Sequence, residues 1–537
     1  MSYIGDVSLK QSKIIPGLAV GLSTLLIGWY LFSLTAHNTF TFDEWMFFTG
    51  RREWTFNALV ANHNGHLSIV PAFVYIAVFK IFGYDHYEVF RLLAVIIHLA
   101  TTLLAADFVR RRHGWPAAYC VGIALALLGG GGENILWGFQ IGFMGGLFFF
   151  LLALRFFDHA RDSTHPKWAV ASCIAVALSL GSAGTGIGSV VVIFVLTVFS
   201  ANWRRLWWVS VLPGMLYAGW YVRYGGTEAS TSVIHAIPSF VAKSASSSAA
   251  AIFGIDRLWG TLALGIVISY LAHKSFERKL SRRSFAFLIF AGFFWVATAY
   301  GRALFADPAS SRYLYIGIFG LVLLLSDSLP MSASLTDQKT KIARVVVGVA
   351  SALAIWGSHS AMMFWSDIHL SLSESAIGQL ALVEAHRNQI DPSTLLQTIG
   401  SAPVLVAQDY FAAIDAIGSS PVDGVTELVS ASAQTRLAAD DVLFSLGLAS
   451  IGGTGESDLS CIKQLDPEVL VLPGSELKFA VSRQVTATMA RFFDLYSRGV
   501  NDRVLGPGIY VVSLSEDSLG GGLRIAFDDA TAVTFCE

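Results

Sequence analysis

Of the chain's 537 residues, 54% are hydrophobic and only 14% charged, and the mean hydropathy is +0.59. These values exclude an ordinary soluble domain and a disordered chain, and they indicate a polytopic membrane protein. The formal net charge of −2 belongs to groups confined to loops, and no basic patch argues for a nucleic-acid partner.

Apolar runs near the roughly 20 residues that a perpendicular helix needs to cross a bilayer recur from Ile14 to Ala361 and then stop. The first follows Lys10 and Lys13, has no small-residue cleavage site close behind it, and carries Trp29 and Tyr30 as interfacial anchors. It reads as a retained first helix. Basic residues cluster at Arg110-Arg111-Arg112, Arg155 to Lys167, Arg204-Arg205 and His273 to Arg283, which marks these loops as cytoplasmic. The loops at 131–137, 181–186, 223–248 and 306–312 then face the other side. Lys339 to Arg344 is again inside, so the C-terminal segment is expected outside.

Two apolar runs, Leu67 to Phe82 and Val89 to Val109, lie between the outer end of the first helix and the Arg110 cluster. Two full crossings would put that cluster on the wrong face. The first run is the shorter, contains Pro71 and Lys80, and stops at Gly83, so it is read as lying along or dipping into the outer interface. The alternative is a short genuine span with one loop that violates the charge rule. With the first reading the count closes at about eleven spans. The expected fold is therefore a polytopic α-helical membrane domain over residues 1–365, with juxtamembrane helices in a first outer loop at 37–88. An extracytoplasmic domain of mixed α/β character follows over 366–537.

The outer loop concentrates titratable groups. Phe42-Asp43-Glu44-Trp45 follows the first helix directly, and adjacent residues point in different directions, so one of the two carboxylates faces an acceptor. Asp43 is the first choice as general base, with Glu44 the spare and Arg51 or Arg52 in reach; a solvated helix terminus is the plain alternative. His63 and His66, three residues apart with Asn62 and Asn64 beside them, share one face if the segment is helical. They suit phosphate or sugar binding. As a metal site, His-x-x-His alone is a weak signal, so a divalent metal is allowed but not favoured.

Further along, Gly129 to Gly132 precede Glu133-Asn134 and Trp137-Gly138-Phe139-Gln140. Glu133, Asn134, Trp137 and Gln140 form a candidate sugar or acceptor site, because rings stack on sugar faces while amides and carboxylates bond hydroxyls. The same glycines also suit a simple helix break. The glycine-rich turn at 181–188 lacks the preceding strand and Lys-Ser/Thr ending of a phosphate loop and is better explained by close helix packing. Near the end of the apolar region, Gly301-Arg302 and Ser310-Ser311-Arg312-Tyr313 flank a short outer loop with Asp307. Arginine offers a planar fork of donors to phosphate oxygens and stays charged at any relevant pH; snorkelling to the interface is the alternative.

In the C-terminal segment, 402–407, 469–472, 477–481, 509–514 and 523–527 read as strands, and 431–446 and 486–496 as helices. Cys461 and Cys536 are its only cysteines and are placed to pair in an oxidising compartment, with a reduced pair as the alternative; Cys120 and Cys173 fall in apolar runs.

An acidic pair just after the first helix, a surface-lying segment ending in Phe82-Gly83, Arg91 in the next helix and the Ser-Arg-Tyr of Ser311-Arg312-Tyr313 together resemble the GT-C superfamily of integral membrane glycosyltransferases. The resemblance extends to the protein O-mannosyltransferase, aminoarabinose transferase and arabinosyltransferase families, and covers roughly the first 360 residues as architecture. It implies transfer of a sugar from a polyprenyl-phosphate donor to a hydroxyl of a glycan, lipid or protein on the extracytoplasmic face of a bacterial plasma membrane. In those terms Asp43 is the base with Glu44 the spare carboxylate, Arg302, Arg312, His63, His66 and Arg91 hold the donor phosphate, and Tyr313 joins the sugar site. Two other classes stay open: a transporter or flippase for a lipid-linked saccharide, which the scarcity of mid-membrane charges disfavours, and an O-antigen-type ligase or polymerase that needs no Asp43.

Overall fold

The computed structural model describes every residue except 1–2, 227–230, 331–335, 397–404, 423–427, 455–460, 463–467, 496–500, 518 and 537; side chains of 3–16 and 231–232 are also outside the description. The helices begin with α1 (Tyr3–Ser33), α2 (Glu44–Gly50), α3 (Phe56–Val60), α4 (Ile69–Phe82), α5 (Glu88–His113), α6 (Trp115–Ala126) and α7 (Gly132–Leu136). They continue with α8 (Ile141–Asp162), α9 (Lys167–Leu180), α10 (Ile187–Val198), α11 (Trp203–Leu206), α12 (Trp208–Tyr224) and α13 (Ile237–Ala251). Next come α14 (Arg257–Phe276), α15 (Arg282–Arg302), α16 (Ser311–Ser328), α17 (Asp337–Ala385), α18 (Ala407–Ile417) and α19 (Ala433–Leu443).

The chain divides into two compact units. One comprises residues 1–36, 53–76 and 88–367; the other comprises 37–52, 77–87 and 368–537. The first is helical. Among the described residues, α5, a segment at Gly138–Asp162, α15 and α17 are long and apolar enough to cross a membrane, and α6 with 129–136 makes a fifth if that pair, bent by 44°, is one span. Shorter apolar helices at Gly17–Ser33, Ile69–Phe82, Lys167–Leu180 and Gly184–Val198 accompany them. Large apolar side chains stand exposed along α1 (Leu22, Leu25, Trp29), α12 (Met215, Leu216), α14 (Trp259, Ile266) and α17 (Val345, Trp356). Exposure on this scale marks a lipid-facing surface rather than a water-facing one.

A Cβ at Gly129 would lie 1.8 Å from the Ser358 carbonyl oxygen, so only glycine lets α17 approach the chain there. The glycine run thus serves close packing as well as interruption.

The second unit carries two sheets, ordered β1-β7-β4-β9-β2 and β3-β8-β5-β6. Their strands are β1 (Ala449–Gly453), β2 (Cys461–Ile462), β3 (Glu468–Val471), β4 (Glu476–Val481), β5 (Val485–Ala490), β6 (Arg503–Leu505), β7 (Gly508–Leu514), β8 (Leu523–Phe527) and β9 (Val533–Cys536). All pairings are antiparallel, so the domain is α+β. Alternate residues turn inward: Phe479 and Val481 on β4, Val512 and Leu514 on β7, Val485, Ala487 and Met489 on β5. Phe479 of one sheet meets Phe527 of the other edge-on at 5.2 Å, which places the core between them.

The strands expected at 469–472, 477–481, 509–514 and 523–527 are present within a residue, and the helix expected at 431–446 is present but shorter, at Ala433–Leu443. Of the strand expected at 402–407, residues 402–404 lie outside the described residues; Val406 makes only an isolated bridge to Leu395, and Ala407 begins α18. The helix expected at 486–496 is replaced by β5, whose alternating burial overrides the helix propensity of Ala487, Met489 and Ala490. Beyond β5, the amides of Arg491, Phe492 and Phe493 donate to the buried Asp440 carboxylate at 2.8–3.1 Å, which satisfies a tight turn where a helix would need carbonyl partners. Arg491 forks onto Asp517 at 2.5 and 2.6 Å, and His386 contacts the same carboxylate at 2.8 Å. Cys461 and Cys536 face each other on β2 and β9 and are joined by a disulfide.

Candidate active site

In the helical unit the two histidines do not share a helix. Asn64 and Gly65 adopt φ of 50° and 82°, and His63 and His66 exchange backbone hydrogen bonds of 3.1 and 2.9 Å. This is a two-residue hairpin turn with left-handed central residues, the geometry that Asn-Gly favours. The helical arrangement considered for this segment is therefore replaced, but directly opposed hairpin residues also project to one side. The Asn62 carboxamide oxygen accepts the Gly65 amide at 2.8 Å and tightens the turn.

Around the hairpin the chain brings distant segments together. The His63 ring meets Phe139 edge-on at 5.3 Å, and Phe139 in turn lies 5.3 Å from Trp137. The imidazole of His66 packs against Gly184, where an added Cβ would come within 2.6 Å of Nδ1; the glycine-rich turn makes room for a histidine. Arg302, in the last turn of α15, reaches the Asn64 carbonyl at 3.5 Å and lies over Phe305. Burial, reinforced by the Arg302 charge, lowers the His66 pKa to about 4, so the ring is neutral at pH 7.

Glu133 and Arg312 form the adjoining element. Arg312 Nη2 lies 2.9 Å from Glu133 Oε1, and the Arg312 amide donates to Oε2 at 3.2 Å. The Glu133 carboxylate therefore pairs with a guanidinium and also accepts from the first turn of α16, where a helix favours negative charge. Ser311 supports it: its Oγ accepts the Glu133 amide at 3.2 Å and donates to the Gly130 carbonyl at 3.0 Å. Tyr313 lies within electrostatic range of Arg302, Arg312 and Glu133. One constellation thus holds two guanidinium groups, a carboxylate, a phenol and the histidine hairpin.

The other expected site residues are placed as follows. The Asn134 amide donates to the Gln140 carboxamide oxygen at 3.3 Å, and both are buried. Trp137, 2% exposed, is a packing residue in this conformation rather than an open stacking platform. Arg91 lies over the Phe32 ring at 4.6 Å and donates to the Thr35 carbonyl, closing the end of α1. Among the described residues no group of three or more His, Cys, Asp or Glu side chains is arranged to hold a metal ion.

In the second unit, Asp43 and Glu44 have separate environments. Glu44 is 0% exposed; its carboxylate accepts from the Tyr87 hydroxyl at 3.0 and 3.1 Å and from the Thr41 amide at 2.9 Å. The bond from the Thr41 amide closes the turn ahead of α2, whose N-cap is Asp43; the sequence carried no signal for Tyr87. Asp43 is half-buried at the start of α2 and follows Phe42, whose φ of 49° is unusual for an aromatic residue.

No family model matches the sequence, and no curated protein matches it. Among solved structures the chain is similar to the crystal structure of ArnT from Cupriavidus metallidurans in the apo state, with 16% identity over 72% of this chain and 82% of that one and a TM-score of 0.43. It is likewise similar to the crystal structure of ArnT from the same organism bound to undecaprenyl phosphate, with 15% identity over 70% and 81% and a TM-score of 0.42.

Proposed function

We propose that the protein is a membrane glycosyltransferase that moves a sugar from a polyprenyl-phosphate donor to a hydroxyl on a glycan, lipid or protein. In this reading it spans a bacterial plasma membrane about eleven times, and its site and the domain over 366–537 lie on the extracytoplasmic side. The observation that carries the reading is the cluster of Arg302, Arg312, Tyr313 and the His63–His66 hairpin, built on the ends of apolar helices. Cationic forks beside a neutral imidazole suit a phosphate headgroup whose tail stays in lipid.

In the reaction, the acceptor hydroxyl attacks the anomeric carbon, the bond from that carbon to the phosphate oxygen breaks, and polyprenyl phosphate leaves with the bonding electrons. Arg302 and Arg312 stabilise the charge that develops on the leaving phosphate. Glu133 aligns Arg312 rather than meeting the sugar. Asp43 takes the acceptor proton; Glu44, held by Tyr87 and Thr41, fixes the start of α2. The strained Phe42 beside Asp43 supports that assignment, since such conformations cluster at working sites.

The test is sugar transfer by the purified full-length protein with a panel of polyprenyl-phosphate donors. Asp43→Asn should lower transfer at least about 100-fold, the lower range for a general base, while donor binding persists. Arg312→Ala should weaken donor binding about tenfold, equivalent to about 1.4 kcal/mol. Full activity in Asp43→Asn with none in Arg312→Ala would move the chemistry to the ligase class; no transfer with any donor would reject the enzyme.

A further inference from the structure

A cavity of about 220 Å³ lies between α1, α5 and α6, bordered by Ile27, Leu99, Thr102, Ala106, Arg110 and Trp115. It belongs wholly to the helical unit, and none of its residues takes part in the candidate active site. From Leu99 to Arg110 is eleven residues of α5, roughly 16 Å at 1.5 Å per residue, about half of a hydrocarbon core roughly 30 Å thick. The groove therefore matches one leaflet in depth. It is apolar along most of this length and charged at one end only.

That end has more positive charge than its partners neutralise. A single carboxylate, Asp107, serves Arg110 at 2.5 Å, Arg111 at 2.6 Å and Arg155 at 3.9 Å. The neighbouring Asp158 is already engaged by Arg161 and Arg283. Trp115 lies under the Arg110 guanidinium at 5.1 Å, and Tyr119 bonds Ser23 at 2.7 Å, an aromatic pair of the kind found at headgroup level. Deeper in the groove, Thr102 lines the wall and is 3% exposed.

We propose that this groove binds an anionic glycerophospholipid of the leaflet on the Arg110 side. One acyl chain lies along α5, and the headgroup phosphate meets Arg110 and Arg111. Charge complementarity selects an anionic lipid over a zwitterionic one, since the cluster already holds more guanidinium than carboxylate groups. The positive-inside reading of the Arg110 loop makes this the cytoplasmic leaflet. The proposal does not rest on the sugar-transfer reading, and its test has no catalytic readout.

The test is native mass spectrometry of the full-length protein equilibrated in micelles with equimolar dioleoylphosphatidylglycerol and dioleoylphosphatidylcholine. Wild type should retain one phosphatidylglycerol with at least tenfold preference. Arg110→Gln combined with Arg111→Gln should bring the preference near parity, and Ala106→Phe, which fills the groove, should lower retention of both lipids. Arg483→Gln, a basic residue of the second unit, should change nothing. Equal retention of the two lipids by wild type, or a preference unmoved by the double arginine variant, would overturn the proposal. Displacement of phosphatidylglycerol by an equimolar polyprenyl phosphate would also overturn it and assign the groove to a donor lipid.

Discussion

His66 and Arg302 constrain each other. Burial first, and the Arg302 charge second, depress the imidazole pKa to about 4, below the roughly 6.5 of an unfolded histidine. A histidine depressed in the folded state binds fewer protons there than when unfolded. Its contribution is therefore complete above about pH 6.5 and lost progressively as pH falls through about 4. Arg302→Ala should raise the His66 midpoint, read by NMR of labelled imidazole carbons in the purified protein; an unmoved midpoint would mean that the two groups are not coupled. The identities of these residues were legible in the sequence because histidines and arginines at a membrane boundary are few. Their partners were not, since the space Gly184 leaves for His66 and the hold of Tyr87 on Glu44 depend on packing between segments far apart in the chain.

At the scale of elements, local chemistry decides the outcome where it is strong. Asn64-Gly65 needs two left-handed residues and obtains a hairpin turn; Gly65→Ala at φ 82° should cost about 1–2 kcal/mol, seen as a lower melting temperature and altered His63 and His66 resonances. Where local preference is weak, tertiary pairing prevails, as in β5. The same turn supplies a pH prediction. Burial raises the Asp440 pKa to about 6 against the opposing amides of Phe493, Phe492 and Arg491. A carboxyl raised above its unfolded value of about 3.9 contributes fully below that pH and loses its contribution as pH rises through about 6. Between pH 4 and 7 the melting temperature of the wild type should therefore fall relative to that of Asp440→Asn. A constant difference across that range would show that Asp440 does not titrate there.

For the whole molecule, the bridge between Cys461 and Cys536 closes a loop with a sequence separation of 75, which on the loop-entropy relation contributes about 4 kcal/mol. Reduction, or Cys461→Ser with Cys536→Ser, should make the second unit the first part of the full-length protein to lose resistance to limited proteolysis; unchanged resistance would assign its stability to the sheets alone. Composition and hydrophobic period by themselves determined the apolar helical region, the order of its basic loops, four strands of the C-terminal domain and the cysteine pair. These properties are local, or follow from counting. Tertiary structure alone decided that Glu133 pairs with Arg312 rather than lying open to a sugar, that Asn134 and Gln140 bond each other, and that residues 37–52 and 77–87 fold with the C-terminal unit. The physical reason is that a buried polar group takes whichever partner packing brings within about 3 Å, and no spacing along the chain specifies that partner.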